Sequence, residues 1–230
     1  MSQIAGKSPG LRKGSLKTMG TLAIYGSSGF AREILPIVRR SSEGAIVFVD
    51  DEVAVQGTSV NGIPCISFEE LCARNTAQTK ISIAISAPDI RQRLTEKCSA
   101  AGFGFFDVTT QSHLRFDEVE IGPGAILCDH TQITSNIRIG AHFHCNIYSY
   151  VAHDCVIGDF VTFAPRVNCN GNIVIEDGAY IGTGATLRQG TPDNPLRIGT
   201  GSTVGMGAVV TKDVPPGATV VGNPAKILDP

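Results

Sequence analysis

Tryptophan is absent from this 230-residue chain, aromatic residues supply only 6% of it, and charged residues only 17%. So few large rings, set against 26 glycines, disfavour a helical bundle and suit many short strands joined by tight turns. With an apolar share of 42%, the low charge also excludes a disordered chain. The composition is that of a soluble globular protein of one or two domains. A surplus of positive charge is missing too. The net charge is −2, and Lys7, Arg12, Lys13 and Lys17 stand in the first twenty residues with no acid among them, so setting those four aside leaves −6 on the body. An acidic body argues against nucleic acid as the main partner. No apolar run follows the leading charges, so the leader reads neither as a signal peptide nor as a membrane span. Residues 1–19 read as a flexible tail, with Met19 as an alternative start to Met1. The seven cysteines (65, 72, 98, 128, 145, 155 and 169) are odd in number and contain no CxxC pair. Scattered thiols without a disulfide framework point to a reducing compartment, the cytoplasm.

What the chain does have is a period. An apolar residue or cysteine recurs at every sixth position: Ile121, Leu127, Ile133, Ile139, Cys145, Val151, Ile157, Phe163, Cys169, Ile175, Ile181 and Leu187. Four residues after each stands a second small or apolar position, running from Ala125 through Thr131 and Ile137 to Ala185 and Thr191. Neither a helix of period 3.6 nor an alternating strand keeps a six-residue register. Each hexapeptide reads as one short strand plus a turn, and three make one coil of a triangular prism. Stacked coils pair at about 4.8 Å and line the interior with aliphatic ladders. Cys145, Cys155 and Cys169 fill such inward positions as small apolar side chains. The phase breaks at Asp193-Asn194-Pro195-Leu196-Arg197, an expected five-residue insertion, and resumes at Ile198, Val204 and Val210. An insertion in a solenoid loops outward, often beside a binding site.

Residues 20–110 read differently. Strands at Thr21–Tyr25, Ala45–Val49 and Ile81–Ile85 alternate with helices at Phe30–Arg40 and about Asp89–Ala101, and Phe105–Val108 reads as a further strand. That alternation implies a small Rossmann-like parallel βαβ domain ahead of the β-helix of residues 111–230. Between the first strand and helix lies Gly26-Ser27-Ser28-Gly29, where backbone N–H groups meet an anion at a helix start. GxxG is not the GxGxxG of dinucleotide binding. It leaves two readings: a tight turn that needs glycine, or a smaller phosphate-bearing ligand such as a nucleotide-sugar.

Of the five histidines (113, 130, 142, 144 and 153), His153 is followed by Asp154. With Val151 and Cys155 inward, His153 falls near a turn or on the outer surface. A carboxylate beside an exposed imidazole suits a general base. His142-Phe143-His144 places two imidazoles around an inward Phe143, but a catalytic zinc takes three protein ligands. Surface or interface packing is the plainer reading, and no metal is expected. Lys212 and Lys226, near the last coils, read either as contacts for the phosphates of an anionic cofactor or as solvated surface.

Ile24-Tyr25-Gly26-Ser27-Ser28-Gly29, the strand end Asp50-Asp51, His153-Asp154-Cys155-Val156-Ile157-Gly158, Cys169-Asn170-Gly171-Asn172 and Val221-Gly222-Asn223-Pro224-Ala225-Lys226 together resemble the NeuD/PglD family of bacterial sugar O- and N-acyltransferases. The resemblance runs from about Gly20 to Lys226. It implies a homotrimer of left-handed β-helices, acetyl-CoA in the groove between subunits, and a nucleotide-sugar or sugar acceptor on the N-terminal domain. It implies direct transfer with His153 as base and Asp154 beside it. Acceptor contacts map to Gly26, Ser28, Gly29, Phe30, Asp50, Asp51 and Ser86, and acetyl-CoA contacts to Thr162, Gly182, Thr183, Gly205, Met206, Lys212 and Lys226. Two positions depart from the family: Thr162 stands where a relative has a second histidine, nine residues after the base, and Ser86 replaces a glycine. The expected activity is acetyl-CoA-dependent N-acetylation of a nucleotide-linked amino-sugar of the 4-amino-4,6-dideoxy type, for surface polysaccharide or glycan synthesis. The alternatives are O-acetylation of sialic acid or a related sugar, a metal-dependent hydratase on the same β-helix, and a scaffold that binds no CoA. No membrane partner is expected.

Overall fold

Short apolar runs bounded by glycine and polar turns build the first sheet. The structure, a computed structural model, describes residues 20–54, 57–74 and 76–228. The tail expected over 1–19 lies outside the described residues. In chain order the first unit holds β1 (Thr21–Tyr25), α1 (Gly29–Ser41), β2 (Ile46–Val49), α2 (Asp51–Ala54), β3 (Ser59–Val60), β4 (Ile63–Ile66), α3 (Phe68–Cys72), β5 (Thr79–Ile83), α4 (Pro88–Ala100) and β6 (Gly104–Phe105). The sheet order is β3-β4-β2-β1-β5-β6. Its pairings are parallel except for β3 with β4. The chain turns back at β1, with β2 on one side and β5 on the other, so the loops after β1 and β5 flank the switch point where open α/β sheets take ligands.

Helix α1 buries Ala31, Ile34, Leu35 and Val38, the i, i+3, i+4, i+7 stripe of an amphipathic helix. That stripe shares one core with Ile24 and Phe48 of the sheet and with Val108, Ile126 and Cys128 beyond it. The opposite sheet face packs on Leu71, Cys98 and Phe103. The segment Phe105–Val108, read as one strand, divides: Gly104–Phe105 closes this sheet and Val108–Thr109 pairs into the next.

From Val108 onward, two- and three-residue strands stack on three parallel sheets. The first face rises through Val108–Thr109, Ile126–Leu127, His144–Cys145, Thr162–Phe163, Tyr180–Ile181, Thr203–Val204 and Thr219–Val221, and Lys226–Ile227 adds antiparallel. The second ends with Tyr150–Val151, Asn168–Cys169, Thr186–Leu187 and Val209–Val210; the third carries Val156–Ile157, Ile173–Ile175 and Leu196–Ile198. This is a left-handed β-helix. Its corners show a feature the hexapeptide reading did not contain: one residue in six takes positive φ. Nine of these are not glycine, from Glu118 through His130, His142, Tyr148, Asp154 and Phe160 to Asn172. Each such residue costs about 1–2 kcal/mol, offset by the ladder it allows to close. The inward positions form one continuous core, fully buried at Phe143, Cys145, Val151, Phe163, Cys169, Ile181 and Leu187.

The insertion lies slightly earlier than the sequence suggested. Leu196 pairs with Ile173 and is buried, whereas Thr191 is exposed. The five extra residues are therefore Thr191–Pro195, closed by a Thr191–Asn194 bridge. Thr191 matched the pattern only in size; Leu196 offers more apolar area to the core and takes the place.

Candidate active site

At the end of β1, Gly26 has φ +99, and a Cβ there would meet the Ile85 side chain at 2.8 Å. Glycine is required because the two switch-point loops touch. Ser27, buried, donates to Asp50 Oδ2 at 2.6 Å, while Asp50 Oδ1 accepts from the Glu52 N–H at 3.2 Å. Asp50 thus ties the glycine loop to the end of β2. Asp51 accepts the Phe68 N–H at 2.7 Å and faces Lys97 at 3.5 Å, an anchor for α3. Ser28 caps α1 with an extended backbone but no side-chain bond, and the first turn of α1 has no acid, so its open amides present a positive helix end.

Beside that helix start lies a cavity of about 310 Å³, bounded by Gly29, Phe30 and Glu33, by Ser86 after β5, and by His144, Asn146, Ile147, Thr162, Phe163, Ala164, Pro165, Tyr180 and Thr183 of the prism. It gathers five of the expected contacts: Gly29, Phe30, Ser86, Thr162 and Thr183. Gly26, Ser28, Asp50 and Asp51 do not line it. Glu33, the one charged residue in the lining, carried no sequence motif. Upward from the cavity, Ala164, Gly182 and Gly205 follow one another on successive coils. A Cβ on Gly182 would sit 2.6 Å from the Met206 nitrogen, so this edge stays flat, with Met206 82% exposed. Lys226 pairs opposite Val221 at its top. Lys212, grouped with these by sequence, stands instead on the edge between the second and third faces, two residues after Val210.

His153 occupies that second edge. Its Nδ1 lies 2.7 Å from Asp154 Oδ2, and Asp154 Oδ1 accepts from Asn136 Nδ2 at 3.2 Å. Bonding to His153 first, and to Asn136 second, holds the Asp154 carboxyl below its usual range. A carboxylate at Nδ1 keeps the proton there and leaves the Nε2 lone pair as acceptor. One coil up, a Cβ on Gly171 would come within 2.5 Å of Cε1 and 2.7 Å of Nε2 of the His153 ring. Asn136 was missed from sequence and Gly171 appeared there only inside a family motif with no role at the site, although both lie eighteen residues, one coil, from members of the pair.

Where the two domains meet, His142, His144 and Thr162 make contacts that the sequence did not specify. Of the two readings for His142 and His144, surface or interface packing, the structure takes the second: they are buried, at 3% and 1% exposure, against the N-terminal domain. His142 stacks on Phe160 at 5.3 Å and meets Phe105 edge-on at 4.7 Å. Burial, reinforced by Arg91, lowers its pKa to about 4 and pushes that of His144 well below the ordinary value. Among the described residues no group of three or more His, Cys, Asp or Glu is arranged to hold a metal. Thr162, mapped as an acetyl-CoA contact where a relative has a second histidine, is buried and donates its hydroxyl to the Ser86 carbonyl at 2.9 Å.

A hexapeptide prism carrying a carboxylate-oriented imidazole with one free nitrogen is the architecture of the hexapeptide-repeat acyltransferases. The comparisons narrow this. The family described as the PglD N-terminal domain matches residues 21–98. GDP-perosamine N-acetyltransferase of Escherichia coli O157:H7 is 45% identical over 214 residues, 90% of this chain and 96% of that protein. WeeI from Acinetobacter baumannii AYE has a TM-score of 0.87 at 52% identity, covering 90% of this chain and 99% of that one. PerB from Caulobacter crescentus, solved with CoA and GDP-perosamine, has a TM-score of 0.81 at 26% identity, covering 92% and 98%. The chain belongs to the NeuD/PglD family of sugar acyltransferases.

Proposed function

We propose that this protein is an acetyl-CoA-dependent N-acetyltransferase whose acceptor is a GDP-linked 4-amino-4,6-dideoxy-hexose, the perosamine type. The observation that carries the reading is the His153–Asp154 pair with its free Nε2, on a chain that matches a GDP-perosamine N-acetyltransferase over 96% of that protein's length. The acceptor nitrogen attacks the thioester carbonyl and His153 Nε2 takes its proton. Asp154 stabilises the resulting imidazolium. Collapse of the tetrahedral adduct expels the sulfur, which leaves as CoA with the proton returned from His153. Holding both substrates in register supplies much of the remaining acceleration.

In one chain the cavity lies beside the first face and His153 on the edge between the second and third. The reading therefore needs a second copy, in a homotrimer whose sites join the cavity of one chain to the His153 edge of the next. Exposed Leu114, Phe116, Ile147, Tyr148 and Val156 supply apolar surface for that assembly. Seven free cysteines fit work in the reducing cytoplasm, and no helix of the described residues is long and apolar enough to cross a membrane.

Thiol release from acetyl-CoA tests the proposal with GDP-, UDP- and dTDP-linked 4-amino-sugars and sialic acid as acceptors. GDP-perosamine-type acceptors are expected to give turnover, and His153→Ala to lose at least 100-fold with an unchanged melting temperature. Release with sialic acid alone would replace N- by O-acetylation, and near-wild-type rates in His153→Ala would remove the base.

A further inference from the structure

We propose that Arg91 is a positioning residue for the acceptor site: from inside the seam between the two domains it fixes the Ser86 loop and the His144 ring that wall the cavity. The inference rests on reading that cavity as the acceptor pocket. Arg91 lies on α4, a helix of otherwise mostly exposed residues, yet it is 0% exposed. A buried guanidinium normally meets a carboxylate. Here its partners are neutral and come from both domains. Nη1 donates to the carbonyls of Ile85 at 2.6 Å and Ser86 at 3.2 Å, and to His144 Nδ1 at 3.3 Å. Nη2 donates to the Phe160 carbonyl at 2.5 Å and to Thr162 Oγ1 at 3.0 Å. Burial lowers its pKa to about 9, which leaves it cationic at neutral pH.

These partners converge on one place. Ser86, His144 and Thr162 all line the cavity. Thr162 closes a triangle, accepting from Arg91 while donating to the Ser86 carbonyl. Because an arginine can only donate, His144 Nδ1 must accept, which sets its tautomer with the proton on Nε2. The ring so fixed lies tilted at 46° against Phe30, with centroids 5.2 Å apart, and Phe30 is a fourth lining residue. A planar fork reaches acceptors on both sides of the seam at once; a lysine ammonium, with three donors at one point, does not.

The test compares wild type with Arg91→Lys and Thr162→Val in the intact assembly, by two readouts. Steady-state kinetics should show acceptor KM raised about tenfold or more in Arg91→Lys and severalfold in Thr162→Val, with acetyl-CoA KM within twofold. Amide hydrogen exchange, without substrate, should speed up at residues 84–87 and 29–33 and not in the upper coils. Equal rises in both KM values, or unchanged exchange in both segments, would overturn the role. If Arg91→Lys does not fold, Thr162→Val carries the test on the same criteria. Wild type inert toward every amino-sugar would refute the acceptor assignment, while the exchange data would still decide whether Arg91 holds these loops.

Discussion

An imidazole serves as a base only while one nitrogen keeps its lone pair, and two histidine environments on this prism treat that requirement oppositely. His153 is half exposed and bonded at Nδ1 by Asp154, so it can take a proton and be stabilised when it does. His142 is buried among Phe105 and Phe160 with no partner at Nδ1, so a proton there is strongly disfavoured. Its pKa of about 4, against the ordinary 6.5, makes it a liability in acid. Below 6.5 the unfolded chain binds this proton and the folded chain does not, so stability falls as the pH drops from 6.5 toward 4, by up to about 3 kcal/mol. His144, shifted the same way, adds to the loss. In His142→Phe the melting temperature should therefore fall less steeply between pH 7 and pH 5 than in wild type. The slope is the readout, since the substitution itself shifts the absolute value; an unchanged slope would place the acid sensitivity elsewhere.

Between neighbouring coils, the unit of placement is the eighteen-residue turn of the prism. Asn136, one coil below, braces Asp154; Gly171, one coil above, leaves space for the His153 ring. Adding one methyl in Gly171→Ala puts a carbon 2.5 Å from that ring, and the ring, being the free end of a side chain, swings aside. Turnover is expected to drop about 10- to 100-fold with a melting temperature within a few degrees of wild type. A variant that melts early but turns over normally would contradict this. The same period explains what the sequence disclosed. Inward ladders are legible because burial demands apolar residues at fixed spacing, and the His153–Asp154 pair is legible because its members adjoin. Positive-φ corners are not, because Glu118, His130 and Tyr148 occupy them for reasons of geometry that leave no composition signature. The insertion was displaced because Thr191 is small enough to mimic an inward residue. Arg91 reads as one more charge on a surface helix, and His142 and His144 are left between surface and interface, because the contacts that bury them include ones from the other domain.

At the scale of the whole molecule, acceptor binding and proton removal, as proposed, stand apart on one chain. The cavity by α1 lies beside the first face of the three-sided prism and His153 on the edge between the second and third. If, as proposed, neighbouring chains complete each other's sites, two differently crippled chains should restore one another. Gly29→Tyr fills the cavity, and the fold tolerates a Cβ there because nothing lies within 4 Å of it. His153→Ala removes the proposed base. Each homotrimer should be inactive. Unfolding equal amounts together and refolding them gives mixed trimers in which about a quarter of the interfaces pair an intact cavity with an intact base. About a quarter of wild-type turnover should then return, while separately refolded and then mixed trimers should stay silent. Silence in the co-refolded sample, with mixed trimers verified by mass, would mean that cavity and base act within a single chain, and the proposed arrangement of the assembly would be wrong.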